Sequence, residues 1–491
     1  MKQIRRVLLI APPVMTFRQN RDINPMPPMG LGYLASSIEG MGIEVEILDC
    51  LMEGWTCEER IGEHLIRVGL CDDDIASRVA KYNADVIGIA CQFSRQNQIY
   101  HDLLRLVKAV KPETITIAGG AHATVCPEEM LKNEACDYVL CGEAEQSLRD
   151  LLERLTREEG LSEVDGLGWK SGGELHLNPK TGWVEQLDDI AFPAYHIMKL
   201  ERYYGLPASH GMRHRERFSP VVTSRGCPAR CTFCSAHRVW GRKYRVRSVG
   251  NVIEEMRLLR DRYGVQEIMF EDDNVTANRK RAMELFSRIK EERLGFVWDT
   301  PNGVGAWSID EGMLEAMKAS GCLRVNFPVE SGSQRVLDTI IKKPLKLDHV
   351  RRLIVYCQKI GLDCGMFLVV GMPGETIPDI WASFRFAASC RCFEPHISVA
   401  TPYPGTDLYD TCRENGYLSR EVRMEDYYTR SFLIRTPHWS VRKLARTLFW
   451  GRVYLAIRAA FAEPASMMTT VKKMFAGGFR RAKFLSQRLT N

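Results

Sequence analysis

Two successive runs of alternating strand and helix constrain this 491-residue chain more than any other feature. In the first 155 residues, short β-branched runs fall at 7–10, 45–48, 86–90, 114–118 and 138–140. Helical stretches separate them, including 31–39, 101–110 and 146–155. Strands alternating with helices at this spacing predict a parallel sheet covered on both faces, because each crossover helix must bury its apolar stripe.

A second alternation opens at Pro220-Val221-Val222-Thr223. Its further strands are expected at 267–270, 296–298, 324–329, 364–370 and 396–400, with helices at 279–292, 311–320, 348–360 and 378–389. Six strands, each followed by a helix or loop, predict an incomplete parallel β/α barrel. The chain therefore reads as α/β. A doubly wound sheet of the Rossmann or flavodoxin-like kind (1–155) is followed by a linker with a small hairpin at Lys170-Ser171-Gly172-Gly173 (156–215). A partial (β/α)6 barrel (216–410) and a helical, basic C-terminal extension (411–491) complete the expected organisation.

The composition, 45% hydrophobic and 26% charged, suits a globular chain with a large core. Met1 to Arg6 precede only a short apolar run that ends in Pro12-Pro13, so no secretory signal is expected. No apolar stretch reaches bilayer length. Most of the 16 cysteines lie in apolar runs and read as small buried hydrophobes, which fits a reducing cytoplasm. The net charge of +6 is concentrated in the tail. From Val441 to Asn491 there are eleven Lys or Arg and one acid, Glu463, so the rest of the chain is net acidic and gives no sign of a nucleic-acid partner.

Chemistry in such folds collects at the carboxyl ends of the strands. In the first sheet those ends carry Asp49, Cys91-Gln92-Phe93-Ser94, Gly119-Gly120-Ala121-His122 and Gly142-Glu143. In the barrel, the first strand is followed by Cys227-Pro228-Ala229-Arg230-Cys231-Thr232-Phe233-Cys234. Three thiolates at C-x3-C-x2-C spacing can hold three irons of a [4Fe–4S] cluster and leave the fourth iron open. A zinc site with His237 as fourth ligand is the alternative at the level of spacing. Phe233 offers a flat face beside the cluster. The second strand ends in Glu271-Asp272-Asp273-Asn274, groups suited to an ammonium or hydroxyl, or to a solvated loop with a helix cap. The fourth ends in Glu330-Ser331-Gly332, where a carboxylate can accept from a ribose diol or pair with an arginine such as Arg324. The fifth ends in Gly371-Met372-Pro373-Gly374-Glu375-Thr376, whose glycines admit close backbone approach.

Together these residues resemble the radical S-adenosylmethionine (SAM) enzymes over about 216–410. The resemblance implies a cluster on Cys227, Cys231 and Cys234, whose open iron chelates SAM and whose electron cleaves it to a 5′-deoxyadenosyl radical. By position it brings Phe233, Gly371, Pro373 and Gly374 near adenine, Asp272, Asp273 and Asn274 near the methionine amine, and Glu330 and Ser331 near the ribose. Met26 to Ala35, Gly119 to Thr124 and Gly142 to Glu145 resemble the cobalamin-binding domain fused to one class of these enzymes. That implies cobalamin contacts from Ser94, Gly119, Gly120, His122, Gly142 and Glu143. The Asp-x-His-x-x-Gly motif of cobalamin proteins with a histidine on cobalt is absent, so His122 is expected to be a hydrogen-bonding loop residue.

Within this class the chain is similar to the fosfomycin-pathway C-methyltransferase group in stretches such as Val45 to Cys50, Gly69 to Ile75 and Asp272 to Thr276. The similarity implies methylation of an unactivated carbon, or of phosphorus, in a small-molecule biosynthetic intermediate via methylcobalamin. Two SAM molecules are used per turnover, and a flavodoxin or ferredoxin serves as electron donor. A non-methylating oxidase or cyclase of the same class is the alternative, and a cobalamin or iron–sulfur sensor the third reading. In the tail, Asp426-Tyr427-Tyr428 and Trp439 are expected to cover the barrel mouth. The basic segment 472–488 reads as a solvated face of a helical cap in preference to a membrane-surface contact, because no clean apolar stripe accompanies it.

Overall fold

The computed structural model describes residues 3–18, 23–207, 211–418 and 432–462. They form two compact units, one of Met1–Pro228, Ser235–Val275 and Glu284–Asn302, the other of Ala229–Cys234, Thr276–Met283 and Gly303–Asn491.

The first unit opens with strands β1 (Arg6–Ala11), β2 (Val14–Phe17), β3 (Glu44–Asp49), β4 (Glu58–Ile61), β5 (Leu65–Val68), β6 (Val86–Ala90), β7 (Ile115–Gly119), β8 (Tyr138–Leu140), β9 (Leu167–Ser171) and β10 (Glu174–Leu177). Seven of them form one sheet in the order β10-β9-β8-β7-β6-β1-β3. Its five parallel members are the strands expected from the sequence. Counted among themselves they run 2-1-3-4-5, the flavodoxin order, with the crossover direction reversing between β1 and β6. The central strand β1 is buried on both faces, which is why Val7 to Ile10 form an unbroken apolar run. Leu8, Ile10, Leu48, Ile87, Ile89 and Val139 share a core cluster with Leu103, Leu104 and Val107 of the helix Asn97–Val110.

Two features depart from the sequence reading. The hairpin expected in the linker is β9 and β10, and β9 pairs antiparallel with β8, so it extends the first sheet. The three-residue β8 would otherwise leave an open edge, and β9 covers it. A three-stranded sheet, β2-β5-β4, was not anticipated. Its strands are four residues long, and β4 is exposed throughout, so no alternation marks it.

The same unit carries β11 (Phe218–Val221), the short antiparallel pair β12 (Ser224–Arg225) and β13 (Arg245–Val246), then β14 (Glu267–Phe270) and β15 (Val297–Asp299). β11, β14 and β15 run parallel. In the second unit, β16 (Cys322–Glu330), β17 (Asp363–Val370) and β18 (His396–Val399) run parallel. The six barrel strands expected from the sequence are thus present. A helix spanning Val441–Ala462 lies against the helix Ile377–Ser389. Gly451 makes that approach work, because a Cβ there would come 2.2 Å from the Phe384 ring. Leu444, Thr447, Gly451, Leu455 and Ala459 form the buried face. Among the described residues no helix is long and apolar enough to cross a membrane. Asp426, Tyr427, Tyr428 and the segment 472–488 lie outside the described residues.

Candidate functional site

The chain between β11 and the cysteines is held by a buried carboxylate. Asp272, 2% exposed, accepts from the Thr223 backbone N–H, from Thr223 Oγ1 at 2.8 Å and from Ser224 Oγ. Gly226 has φ of +84°, and a Cβ on it would sit 2.6 Å from the Lys243 carbonyl, so only glycine fits immediately before Cys227. Cys227, Cys231, Phe233 and Cys234 are all half-buried. In the second unit, Thr232 donates its N–H to the Ile341 carbonyl (3.0 Å) and its hydroxyl to the Ile340 carbonyl (3.0 Å), and accepts from the Leu408 N–H (2.8 Å). These contacts hold the thiol-bearing segment through its backbone and Thr232.

Arg225, two residues before Cys227, belongs to a buried ion network in the first unit. Arg245 donates to both oxygens of Glu143, at 2.8 and 2.7 Å, and to the carbonyls of Val184 and Trp240. Arg225 lies 3.3 Å from Glu143 and donates to Glu145 at 2.6 Å. Glu143, Arg225 and Arg245 are at most 4% exposed. Glu143 thereby ties the end of β8 to the short β12–β13 pair that leads into the cysteines. Neither the pairing nor its partners could be read from the sequence, where Glu143 is one strand-end acid among several.

The acids after β14 separate by environment. Asn274 is buried and its carbonyl accepts from the Tyr244 hydroxyl at 3.1 Å. Asp273 is enclosed, and its Oδ2 has no hydrogen-bond partner among the described residues. Burial, reinforced by the neighbouring Asp272 charge, raises its pKa to about 6. In the second unit, Glu330 pairs with Lys343 at 2.8 Å, both buried. The arginine partner considered from sequence, Arg324, bonds to Asp363 instead, at 2.6 Å. Lys343 was missed because Lys342-Lys343 reads as a solvated pair. Glu330 also sits at φ +66°, beside a register shift in β16, a strained conformation of the kind held at ligand sites. Ser331 is fully buried and its hydroxyl accepts from the Ser333 N–H at 3.2 Å. Gly332 carries no side chain because a Cβ would meet the Ala382 carbonyl at 2.5 Å.

After β17, Glu375 turns inward instead of opening the next helix. Its Oε2 accepts from the backbone N–H groups of Gly371 (2.6 Å) and Met372 (3.1 Å). Thr376 caps the helix in a capping box with Asp379. Gly371 has φ of +86° and lies under Leu444 and Trp439, so Trp439, expected at the barrel mouth, is buried against this loop. Pro373 and Gly374 are half-buried beside it. Burial pushes Glu375 up to about pKa 8, against the two backbone bonds that lower it. A carboxyl whose folded pKa is raised stabilises the fold below its unfolded value near 4.5 and loses that contribution as pH rises through about 8. Glu375→Gln, which imitates the protonated acid, is therefore expected to gain stability relative to wild type as pH rises from 5 to 9, by up to roughly 4 kcal/mol. A constant difference across that range in melting scans would contradict the assignment.

At the ends of the first sheet, Asp49 caps the turn Cys50–Glu53 and accepts from the Tyr203 hydroxyl at 2.6 Å. Burial lifts its pKa to about 6 despite that bond. Ser94 Oγ and His122 Nδ1 lie 3.1 Å apart, and His122 is 2% exposed. Gly120 has φ of +106° and its close neighbour is the Cys91 carbonyl, 2.8 Å from a would-be Cβ. The approach it permits is therefore between two loops of the sheet. A Cβ on Gly119 would meet the Leu140 carbonyl at an ordinary contact distance of 3.8 Å, whereas Gly142 is packed by Lys180 and Trp183. Gln92 and Phe93 are exposed at the carboxyl end of β6, Phe93 by 60%.

Residues 221–387 match the radical SAM superfamily and residues 24–152 the B12-binding domain family. A flavodoxin-ordered domain followed by parallel strands and a three-cysteine loop defines a radical SAM enzyme with a cobalamin-binding domain. The chain belongs to the cobalamin-dependent radical SAM methyltransferase family. It is 34% identical to cytidylyl-2-hydroxyethylphosphonate methyltransferase of Streptomyces wedmorensis, over 90% of this chain and 88% of that one. It is 30% identical to an uncharacterized methyltransferase of Pyrococcus horikoshii, over 91% of each chain. The fold resembles the radical SAM methyltransferase TsrM from Kitasatospora setae, solved with cobalamin and a [4Fe–4S] cluster (TM-score 0.66, 17% identity, 85% of this chain and 79% of that one).

The cofactors are a [4Fe–4S] cluster, SAM and cobalamin, and the local chemistry fits them. Three half-buried thiols on a pinned loop suit iron. The orphaned Asp273 oxygen suits an amine donor. Uncrowded Gly119 and exposed Phe93 suit a flat macrocycle.

Proposed function

We propose that this enzyme methylates an unactivated carbon of a small-molecule intermediate, with a nucleotidyl-linked hydroxyalkyl phosphonate as the first substrate to test. The observation that carries this reading is 34% identity running through both domains to a methyltransferase of such a compound. When bound, the cluster and SAM supply a one-electron route to a substrate radical, and cobalamin carries the methyl group.

The chain's own part is to bind, orient and exclude water. Residues 1–155 hold cobalamin, with Gly119, Gln92 and Phe93 facing it and Ser94, His122, Gly120, Gly142 and Glu143 supporting them from behind. Residues 216–410 hold the cluster on Cys227, Cys231 and Cys234. Phe233 and the loop Gly371, Pro373 and Gly374 receive adenine, and Glu330, held by Lys343, accepts from the ribose with Ser331 beside it. Asp272 and Asn274 shape the loop in which Asp273 accepts from the methionine amine. The stretch 156–215 links the two domains, and the helix Val441–Ala462 lies within the C-terminal extension. A reduced flavodoxin or ferredoxin supplies the electron.

The reading predicts a pH signature. An amine N–H donated to Asp273 favours its ionised form, so SAM binding must expel a proton once pH falls below about 6. Affinity for SAM is expected to weaken towards tenfold per pH unit there, and Asp273→Asn to flatten the profile. Anaerobic equilibrium binding from pH 5 to 8 checks this, and an unchanged slope in the variant would remove Asp273 from the amine site. For the substrate, reduced holoenzyme is incubated with SAM and cytidylyl-2-hydroxyethylphosphonate. Product heavier by one methylene supports the reading. SAM cleavage with unmethylated phosphonate rejects that substrate class.

A further inference from the structure

The first unit contains a cluster of metal-ligating side chains apart from the cysteine loop. Cys126 donates its backbone N–H to the His122 carbonyl at 2.9 Å, so a single helical turn brings these two side chains to one side. The next short helix, Pro127–Leu131, adds Glu129. The imidazole nitrogen, thiol sulfur and carboxylate oxygen all lie within 4.8 Å of one another. His122 Nε2 is 3.1 Å from Glu129 Oε2, yet it is buried without an aligned hydrogen-bond partner. Two ligand atoms sharing a zinc ion through bonds of about 2.0–2.1 Å stand roughly 3.3 Å apart, close to that spacing.

The surroundings orient the imidazole and the carboxylate of this cluster. Asn133 donates to His101 Nδ1 at 3.1 Å, which fixes the proton of His101 on Nε2, and Nε2 lies 3.1 Å from Glu129 Oε1. Asn97 donates to the same oxygen at 3.1 Å. With Oε1 engaged twice, Oε2 is the atom left towards His122 and Cys126. Ser94, 3.1 Å from His122 Nδ1, can take the other imidazole proton and leave the Nε2 lone pair inward.

We propose that His122, Cys126 and Glu129 bind one zinc-type divalent cation. An N, S, O donor set of this kind suits a borderline-soft cation, with a water completing four-coordination. Binding exchanges the Cys126 thiol proton for the metal: Zn²⁺ and the thiol give the zinc thiolate and one proton, with no change in oxidation state. The ion would pin the turn after β7, whose Gly119 and Gly120 stand at the carboxyl end of the sheet.

The test uses cluster-reconstituted, cobalamin-loaded enzyme equilibrated with Zn²⁺ and freed of excess metal. The expected result is one zinc per chain by elemental analysis, with one sulfur and otherwise nitrogen or oxygen neighbours in zinc-edge X-ray absorption. Cys126→Ala and Glu129→Gln should each lower zinc retention at least tenfold with iron and corrin content unchanged, which also certifies their folding. Wild type retaining no zinc overturns the proposal. So does zinc surrounded by three sulfurs, which belongs to the cysteine loop, and so does zinc retained equally by both variants.

Discussion

Replacing Cys231 with alanine is expected to reduce 5′-deoxyadenosine formation to background while leaving the fold in place. The segment carrying it is held by its backbone and by Thr232. Thr232 bonds through its backbone and hydroxyl to residues 340, 341 and 408, and the Cys234 N–H bonds to the Cys231 carbonyl, which alanine retains. The backbone contacts that hold the segment survive the substitution, and one of three thiolates is lost. With two ligands left, the cluster is not retained, and iron should fall from about four per chain towards zero. Circular dichroism and cobalamin content should match wild type. A variant that kept its iron and its SAM cleavage would remove Cys231 from the ligand set.

The second large effect falls on Glu143. Its removal leaves Arg245 without its bidentate partner and Arg225 with Glu145 alone, in a region at most 4% exposed. Breaking a buried ion pair on one side costs about 3–5 kcal/mol, because the surviving charge stays desolvated. Glu143→Ala should therefore melt roughly 10 °C lower than wild type. Since Arg225 is two residues from Cys227, the variant should also take up iron more slowly. Removing both charges, as Glu143→Leu with Arg245→Met, should recover part of the loss, because no unpaired charge then remains on that side. Equal melting of Glu143→Ala and wild type would mean the network is solvated in the molecule. A double variant as unstable as the single one would mean that its hydrogen bonds to Val184 and Trp240 matter more than its charge.

Much of the fold was legible in the sequence for a physical reason. Strands buried on both faces need unbroken apolar runs, and Val7 to Ile10 and Val86 to Ala90 supply them. The β2-β5-β4 sheet was not legible, because four-residue strands with exposed members leave no periodic signal. The hairpin at 167–177 was visible as a hairpin, but its pairing to β8 is a tertiary choice. Candidate site residues divide similarly. The three cysteines and the glycine loop announce themselves by spacing and position. Partners across the fold do not, so Lys343 beneath Glu330, Arg245 around Glu143 and the inward turn of Glu375 required coordinates. Asp272 illustrates the difference most clearly. The family resemblance implied a SAM contact for it, yet both its oxygens are engaged in organising Thr223 and Ser224. Asp273, adjacent to it, has an unmatched oxygen among the described residues.

The central claim is that one chain runs both cobalamin-dependent methyl transfer and radical SAM cleavage. The direct measurement is mass spectrometry of anaerobic reactions containing reconstituted enzyme, SAM, a strong reductant and either hydroxocobalamin or none. The account predicts 5′-deoxyadenosine that disappears with Cys231→Ala, together with S-adenosylhomocysteine that appears only when cobalamin is present. Deoxyadenosine without any cobalamin-dependent S-adenosylhomocysteine would contradict it.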